Sequence, residues 1–355
     1  MIMKNKIASL IGFLLVIAVF VAVPIANQGN KSKITIEKET ALLQTVKERG
    51  YLVCGVNAGL PGFASEDDEG NWSGLDVDFC RAVSAAVFGD ADKVEYLGLN
   101  AAQRFPTLAS GSIDILSRNT TWTISRDVNL MFEFAGVSYY DGQGFLVPAA
   151  LGITSARGLD GAFVCIASET TSELNLNDYF AENNMAYRPI YVEGNKDAKA
   201  KLFAGECDVF TTDASGLASA RAGAENPDDW VVLPEIISKE PLGPLVRQGD
   251  QEWEDVVRWT LFAMINAEEM GITSRNVDDL LASKSKEVKR LLGVEGYMGP
   301  MLGLGTKFGY NIIKLVGNYG ESFNKHIGPG TPLNLERGLN NLWNNGGILY
   351  VPPFR

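Results

Sequence analysis

Histidine is nearly absent from this chain: His326 is the only one in 355 residues. Chemistry that needs an imidazole base, or a metal held by several histidines, therefore has almost nothing to build on. Positive charge is also short, with 31 Lys and Arg against 43 Asp and Glu and a formal net charge of −12 at pH 7. Without a basic face there is no footprint for nucleic acid. Cysteine is confined to Cys54, Cys80, Cys165 and Cys207, and no C-x-x-C spacing occurs, which argues against zinc and leaves the sequence without a metal site. Only one long hydrophobic run exists, Ile7 to Val23.

The rest has an ordinary globular balance, 46% hydrophobic and 21% charged, and is long enough for two domains. Lys4 and Lys6 precede the apolar run, and Pro24 and the polar Asn27–Asn30 stretch end it. That is the layout of a secretory signal. A retained anchor is the competing reading, because 17 apolar residues sit near the lower limit for spanning and Pro24-Ile25-Ala26 offers no clean cleavage site. Both readings export the remainder. No cysteine flanks the run, which excludes a cysteine-linked lipid. An even cysteine count in an oxidising compartment suggests two disulfides. Of the three connectivities, Cys54–Cys80 with Cys165–Cys207 is favoured, because each pair then closes a loop inside one candidate lobe.

After a polar linker, Ala41–Arg49 reads as a helix stopped by Gly50, and Tyr51–Val56 as a strand. Asp76 is placed to cap a helix ending before Gly89. Lys93–Leu99 and Ile113–Leu116 read as strands around a helix at Gln103–Ser110. The alternation then repeats: strands at Ala162–Ala167, Arg188–Val192, Cys207–Thr211 and Trp230–Ile237, helices at Ser172–Asn183 and Asp197–Ala204. Such alternation predicts α/β architecture with largely parallel sheets. Leu242–Arg247 reads as a strand leading into an amphipathic helix, Gln251–Met270. The expected divisions are 1–26 (signal or anchor), 27–42 (linker), 43–146 (lobe one), 147–240 (lobe two) and 241–355 (return to lobe one and a C-terminal extension). Two windows match at an offset of 94 residues, pairing Leu108, Gly111 and Asp114 with Leu202, Gly205 and Asp208. Asn119 and Asp213 then fall at equivalent points past the carboxyl end of a strand, where open α/β sheets bind ligands. Any α/β unit offers a similar local explanation for so short a match.

The loop Ser117–Arg126 (SRNTTWTISR) concentrates hydroxyls, an amide, an indole and two arginines. It suits a small carboxylate, with Arg126 pairing bidentately and Asn119 and Thr121 taking the remaining lone pairs. A polar turn with a surface arginine is the plainer alternative. Thr170, Thr171 and Ser172 stand at a predicted helix start, where free N–H groups favour anions, though capping alone explains one hydroxyl. Asp213 suits an ammonium or the cap of the helix after it. Opposite charges from two lobes complement a zwitterion.

The segments Gly74–Phe79 (GLDVDF), Gly111-x-Ile113-Asp114, Thr121-x-Thr123-Ile124-Ser125-Arg126 and Gly205–Asp213 (GECDVFTTD) resemble the polar-amino-acid-binding proteins of ABC importers. Arg118–Trp122 (RNTTW), Tyr139–Phe145 (YYDGQGF), Lys239–Leu242 (KEPL) and Gly346–Arg355 (GGILYVPPFR) resemble the general L-amino-acid-binding branch, and the similarity runs from about Leu43 to the C-terminus. The resemblance implies a type II two-lobed periplasmic-binding-protein fold, each lobe a mixed sheet flanked by helices, with two crossovers and hinged closure on ligand. It implies Arg126 and Thr121 on the α-carboxylate with help from Thr171, and Asp213 on the α-ammonium. It also implies a periplasmic location, no cofactor, a monomer, and ABC permease subunits in the inner membrane as partners. Some positions depart from the family. Leu60 and Ala101 stand where relatives stack aromatics on the ligand, and Asn57 where binders of cationic amino acids are often acidic. The side-chain half of the pocket therefore looks undemanding. Glu169 replaces a usual glycine before Thr170-Thr171. Two other classes remain: a dehydratase-like enzyme on this fold, which needs a cleft acid or base, and a receptor ectodomain, which needs a second span or a signalling domain.

Overall fold

The computed structural model describes residues 41–355; the signal or anchor and nearly all of the linker lie outside the described residues. Two five-stranded mixed sheets form the two lobes. The first runs in the order Val94–Leu99, Leu52–Asn57, Ile115–Leu116, Leu245–Arg247, Phe132–Phe134. Its first three strands are parallel and Leu245–Arg247 is antiparallel to both neighbours. The second runs Arg188–Val192, Phe163–Ala167, Val209–Asp213, Gln143–Pro148, Trp230–Val232, again three parallel strands followed by an antiparallel one. The chain passes between the sheets twice. The passing segments, Tyr139–Asp141 and Glu240–Leu242, pair with each other as a two-stranded antiparallel ribbon.

The local signals explain most elements. Gly50 and Gly89 end the helices Leu42–Arg49 and Leu75–Phe88 with φ of 86° and 70°, the left-handed conformation that glycine adopts freely. Asn100 and Gln103 form a reciprocal capping box at the start of Ala101–Ala109. Asp250 caps Gln251–Glu269 by accepting from the Trp253 N–H, and the buried face of that helix carries Trp253, Val256, Val257, Leu261, Met264 and Ile265.

Three expectations need correction. The sheets are mixed, as the resemblance implies, rather than largely parallel, as the alternation alone suggests, because the strand that follows each passing segment runs antiparallel to its neighbours. Leu242–Arg247 is not one strand: Glu240–Leu242 and Leu245–Arg247 belong to different sheets. Between them Gly243 passes so close to the Gly136 carbonyl that a Cβ would lie 2.1 Å from its oxygen, and Pro244 donates no N–H. Asp76 is not a cap; Gly74 holds that position, and the Asp76 carboxylate turns inward to the Ser117–Asn119 loop.

Disulfides join Cys54 to Cys80 and Cys165 to Cys207, one in each lobe. The core of the first lobe extends far beyond its sheet. Helices Phe308–Leu315 and Tyr319–His326 pack against Leu75–Phe88 and Gln251–Glu269. Phe354, next to the end of the chain, is buried against Trp259 and Phe308. His326 bonds Asp78 at 2.8 Å, and Asn340 exchanges two hydrogen bonds with the backbone of Tyr140 on the ribbon. The C-terminal extension thus completes the first lobe and holds one passing segment in place.

Candidate binding site between the lobes

The site is built at the carboxyl ends of the parallel strands of both sheets, as expected of open α/β sheets. In the first lobe, the chain leaving Ile115–Leu116 turns at Asn119, whose φ is 24°. Asp76 fixes this turn by accepting from the Asn119 N–H at 3.2 Å, while the Arg118 Nε donates to the Leu99 carbonyl at 2.8 Å. Asn57, ending its strand, donates its amide to Asn119 Oδ1 at 2.9 Å. Arg126 sits in a single π-helical turn, Ser125–Asn129, a local widening often found at functional sites. Its side chain is buried, 6% exposed, and one Nη donates to the Thr121 carbonyl at 2.8 Å. The plain surface-turn alternative is thereby set aside.

In the second lobe, Thr170 caps helix Thr171–Glu182 by accepting from the Glu173 N–H. The Thr171 hydroxyl faces the first lobe, 3.3 Å from the Thr121 hydroxyl. Both hydroxyls donate to Glu240, that of Thr171 at 3.1 Å. A threonine has one hydroxyl proton to give, so with both hydroxyls turned to Glu240 the donors left in this part of the cavity are N–H groups of the guanidiniums, those of Arg126 among them. Glu169 has a φ of 59°, which accounts for glycine being usual there. Its N–H is committed to Glu173 at 2.9 Å and its side chain is exposed. Asp213 occupies the cap position of Ala214–Ala222, yet its carboxylate makes no capping bond. Instead it accepts from Asn119 Nδ2 across the cleft at 3.4 Å. The two positions matched by the 94-residue offset meet in space.

Burial dominates the electrostatics. It raises the Asp213 carboxyl well above the usual carboxylate range, with the charges of Asp141 and Glu240 adding to the rise. Asp76 is pushed up to about 6 by burial, against the Asn119 N–H and the Arg118 charge. Burial lowers the guanidinium values of Arg104, Arg118 and Arg126, that of Arg118 to about 10. Desolvated charge of this kind clusters at functional sites.

The cavity between the lobes measures about 50 Å³. Asn57, Asn119, Thr121 and Arg126 line it from the first lobe, and Thr170, Thr171, Ser172 and Asp213 from the second. Leu60 does not reach it. This apolar side chain is 1% exposed within the core of the first lobe, where its loop is closed by backbone bonds to Ala64. Ala101 does line the cavity, but it is joined there by Arg104 and Arg118, so the side-chain half is not undemanding. Arg104 was legible in principle: it lies four residues before the buried Leu108, which puts it on the inner face of its helix. No sequence signal marked Glu240 as the acceptor shared by Thr121, Thr171, Asn175 and Ser238.

Over 315 residues the chain is 56% identical to the general L-amino acid-binding periplasmic protein AapJ of Rhizobium johnstonii, covering 88% of this chain and 92% of that one. It is 52% identical over 314 residues to the glutamate/glutamine/aspartate/asparagine-binding protein BztA of Rhodobacter capsulatus, covering 88% and 93%. Among solved structures, an ABC transporter periplasmic binding protein from Brucella ovis with glutathione bound superimposes with a TM-score of 0.87 at 53% identity, covering 89% of this chain and all of that one. With two mixed sheets, a paired double crossover and a charged cleft between them, and with residues 52–275 matching the family directly, the chain belongs to the bacterial extracellular solute-binding proteins, family 3.

Proposed function

We propose that this chain is a periplasmic solute-binding protein that captures a broad set of L-amino acids as zwitterions and delivers them, as a monomer, to the permease subunits of an ABC importer. One observation carries the reading: Arg126 and Thr121 of the first lobe face Thr171 and Asp213 of the second across a single small cavity. A guanidinium on one wall and a carboxylate on the other complement the two groups that every α-amino acid shares. The names of AapJ and BztA support amino acids as cargo. The Brucella structure fits the same scheme, since the γ-glutamyl end of glutathione carries a free α-ammonium and α-carboxylate. A wider cavity of about 430 Å³ shares Asn57, Arg118, Gly194 and Asn195 with the first and gives room to ligand groups beyond the zwitterion. Binding is favoured over catalysis because the only histidine is bonded to Asp78 in the body of the first lobe. Among the described residues no helix is long and apolar enough to cross a membrane.

Thermal-shift screening of the exported chain tests the reading. Ligand at one hundred times its Kd stabilises the fold by about 2.7 kcal/mol. Several L-amino acids are expected to raise the melting temperature, and amines lacking a carboxylate are not. Equal shifts with such amines, or no shift with any amino acid, would contradict the proposal.

A further inference from the structure

Beyond residue 275, where the family match ends, the chain runs on and packs against the first lobe. Its helix Tyr319–His326 supports the hinge: the Tyr319 hydroxyl donates to the Ser138 carbonyl at 2.8 Å, and Phe323 stacks on Tyr139 of the ribbon. The chain after that helix folds back, with the Leu335 N–H donating to the Ile327 carbonyl at 2.9 Å. It brings Leu333 against the loop Leu60–Ala64. There Gly62 has a φ of 89°, and a Cβ on it would lie 2.7 Å from Leu333 Cδ2 and 2.9 Å from Ile327 Cγ2. Backbone conformation and the closeness of the extension both call for glycine.

This turn decides where successive carbonyls point. The Leu60 carbonyl accepts from the Phe63 and Ala64 N–H groups, that of Gly62 from Leu75 and that of Phe63 from Asp76, all within the first lobe. The Pro61 carbonyl is turned to the other lobe. It accepts from the Ser219 hydroxyl at 3.0 Å, and Ser219 is buried on helix Ala214–Ala222 of the second lobe. A cavity of about 650 Å³ separates Leu333 and Leu335 from Ala214, Ala218 and Arg221 of the same helix. Leu333 therefore acts on that helix through the Gly62 turn.

We propose that the Pro61–Ser219 contact is a latch set by the C-terminal extension: Leu333 and Ile327 hold the Gly62 turn so that Pro61 meets Ser219, and the bond between them slows release of bound ligand. Ligand leaves when the lobes part, and parting breaks this bond. Entry into open lobes does not need it. The latch thus acts on dissociation and leaves association nearly alone. Ser219 and Leu333 are positioning residues, since neither lines the cavity that receives the α-ammonium and α-carboxylate. The inference rests on the zwitterion reading for its readout, the release of an amino acid.

The test is release of labelled L-glutamate from the exported chain into excess unlabelled ligand, with association rates measured alongside. Ser219→Ala is expected to speed dissociation about fivefold, the worth of one neutral hydrogen bond, with association within about twofold of the parent. Leu333→Ala should speed release in the parent yet add nothing in the Ser219→Ala background, because both act on one bond. Leu333→Met should restore slow release by refilling the space. A Leu333 that only stabilised its lobe would lower the melting temperature without this coupling. Ser219→Ala removes a single hydroxyl and carries the test alone should Leu333→Ala fail to fold by circular dichroism. Unchanged release from a folded Ser219→Ala would overturn the latch. A Leu333→Ala effect that persists undiminished in the double variant would overturn the extension's part in it. Failure of the parent to bind any amino acid would overturn the zwitterion reading itself, whereas normal binding with unchanged release strikes the latch alone.

Discussion

The two lobes solve one structural problem in the same way and then diverge where chemistry begins. Gly111 and Gly205 both turn the chain with left-handed φ, 77° and 73°. Three residues later, Asp114 accepts from the Val53 N–H at 2.7 Å and Asp208 from the Phe163 N–H at 2.8 Å, each tying its own strand to the start of the neighbouring one. Five residues further on the copies part. The first lobe ends in Asn119 amid arginines; the second ends in Asp213 after two threonines. The scaffold positions two equivalent strand ends, and the side chains placed there give one wall positive charge and the other negative. A pocket for a zwitterion needs both walls, which makes binding depend on closure.

The largest expected effect compares the two lobes through their disulfides. Loops of 26 and 42 residues are closed by Cys54–Cys80 and Cys165–Cys207, and chain entropy predicts roughly 3–4 kcal/mol for each, slightly more for the longer. Chemical denaturation of Cys54→Ala/Cys80→Ala and of Cys165→Ala/Cys207→Ala should show losses of that size. If one double variant were as stable as the parent, its disulfide would be dispensable and the symmetry of the lobes only topological.

Next comes the negative wall. Asp213→Asn should weaken every amino acid by about 2 kcal/mol, the scale of a hydrogen bond to a charged group. The parent should also show pH-dependent affinity. Burial, with Asp141 and Glu240, raises the Asp213 carboxyl of the free protein. A ligand ammonium favours the carboxylate and lowers that value again, so binding releases a proton. Affinity should therefore fall as pH drops from neutrality toward the usual carboxylate range, and Asp213→Asn should flatten the profile. An unchanged slope in the variant would assign the titration to another group.

The smallest effect separates the paired aspartates. Asp114 is buried and also meets the Arg49 guanidinium, whereas Asp208 is half-buried. Asp114→Asn should cost about 1–2 kcal/mol and Asp208→Asn less, read as urea midpoints. The reverse order would mean that the Arg49 pair contributes nothing.

Much of this was legible because the informative signals are local. Glycines past helix ends and the 94-residue match depend on a few adjacent residues, and the match placed Asn119 and Asp213 at equivalent strand ends, whereas the Asn100–Gln103 box that starts Ala101–Ala109 was not read. What escaped depends on distant chain. Leu60 reads as a loop residue near the ligand, yet its apolar side chain is taken into the core of the first lobe. Glu240 gathers donors as far away in sequence as Thr121, and no short pattern announces that. Arg104 carries no motif of its own, and its place on the inner face of its helix follows only from its spacing to the buried Leu108. The tail after Gly271 shows short helical pieces whose packing no local pattern gives, since they are held by contacts with the distant Leu75–Phe88 and Gln251–Glu269.

The central claim is that Arg126 holds what all amino acids share. Calorimetric titration of Arg126→Ala, with its fold confirmed by circular dichroism, tests this most directly across acidic, amide and neutral ligands. Losing the charged partner of a desolvated carboxylate costs roughly 2–5 kcal/mol, and all ligands should weaken by similar factors. A variant that bound them as well as the parent, or that lost only one of them, would contradict the account.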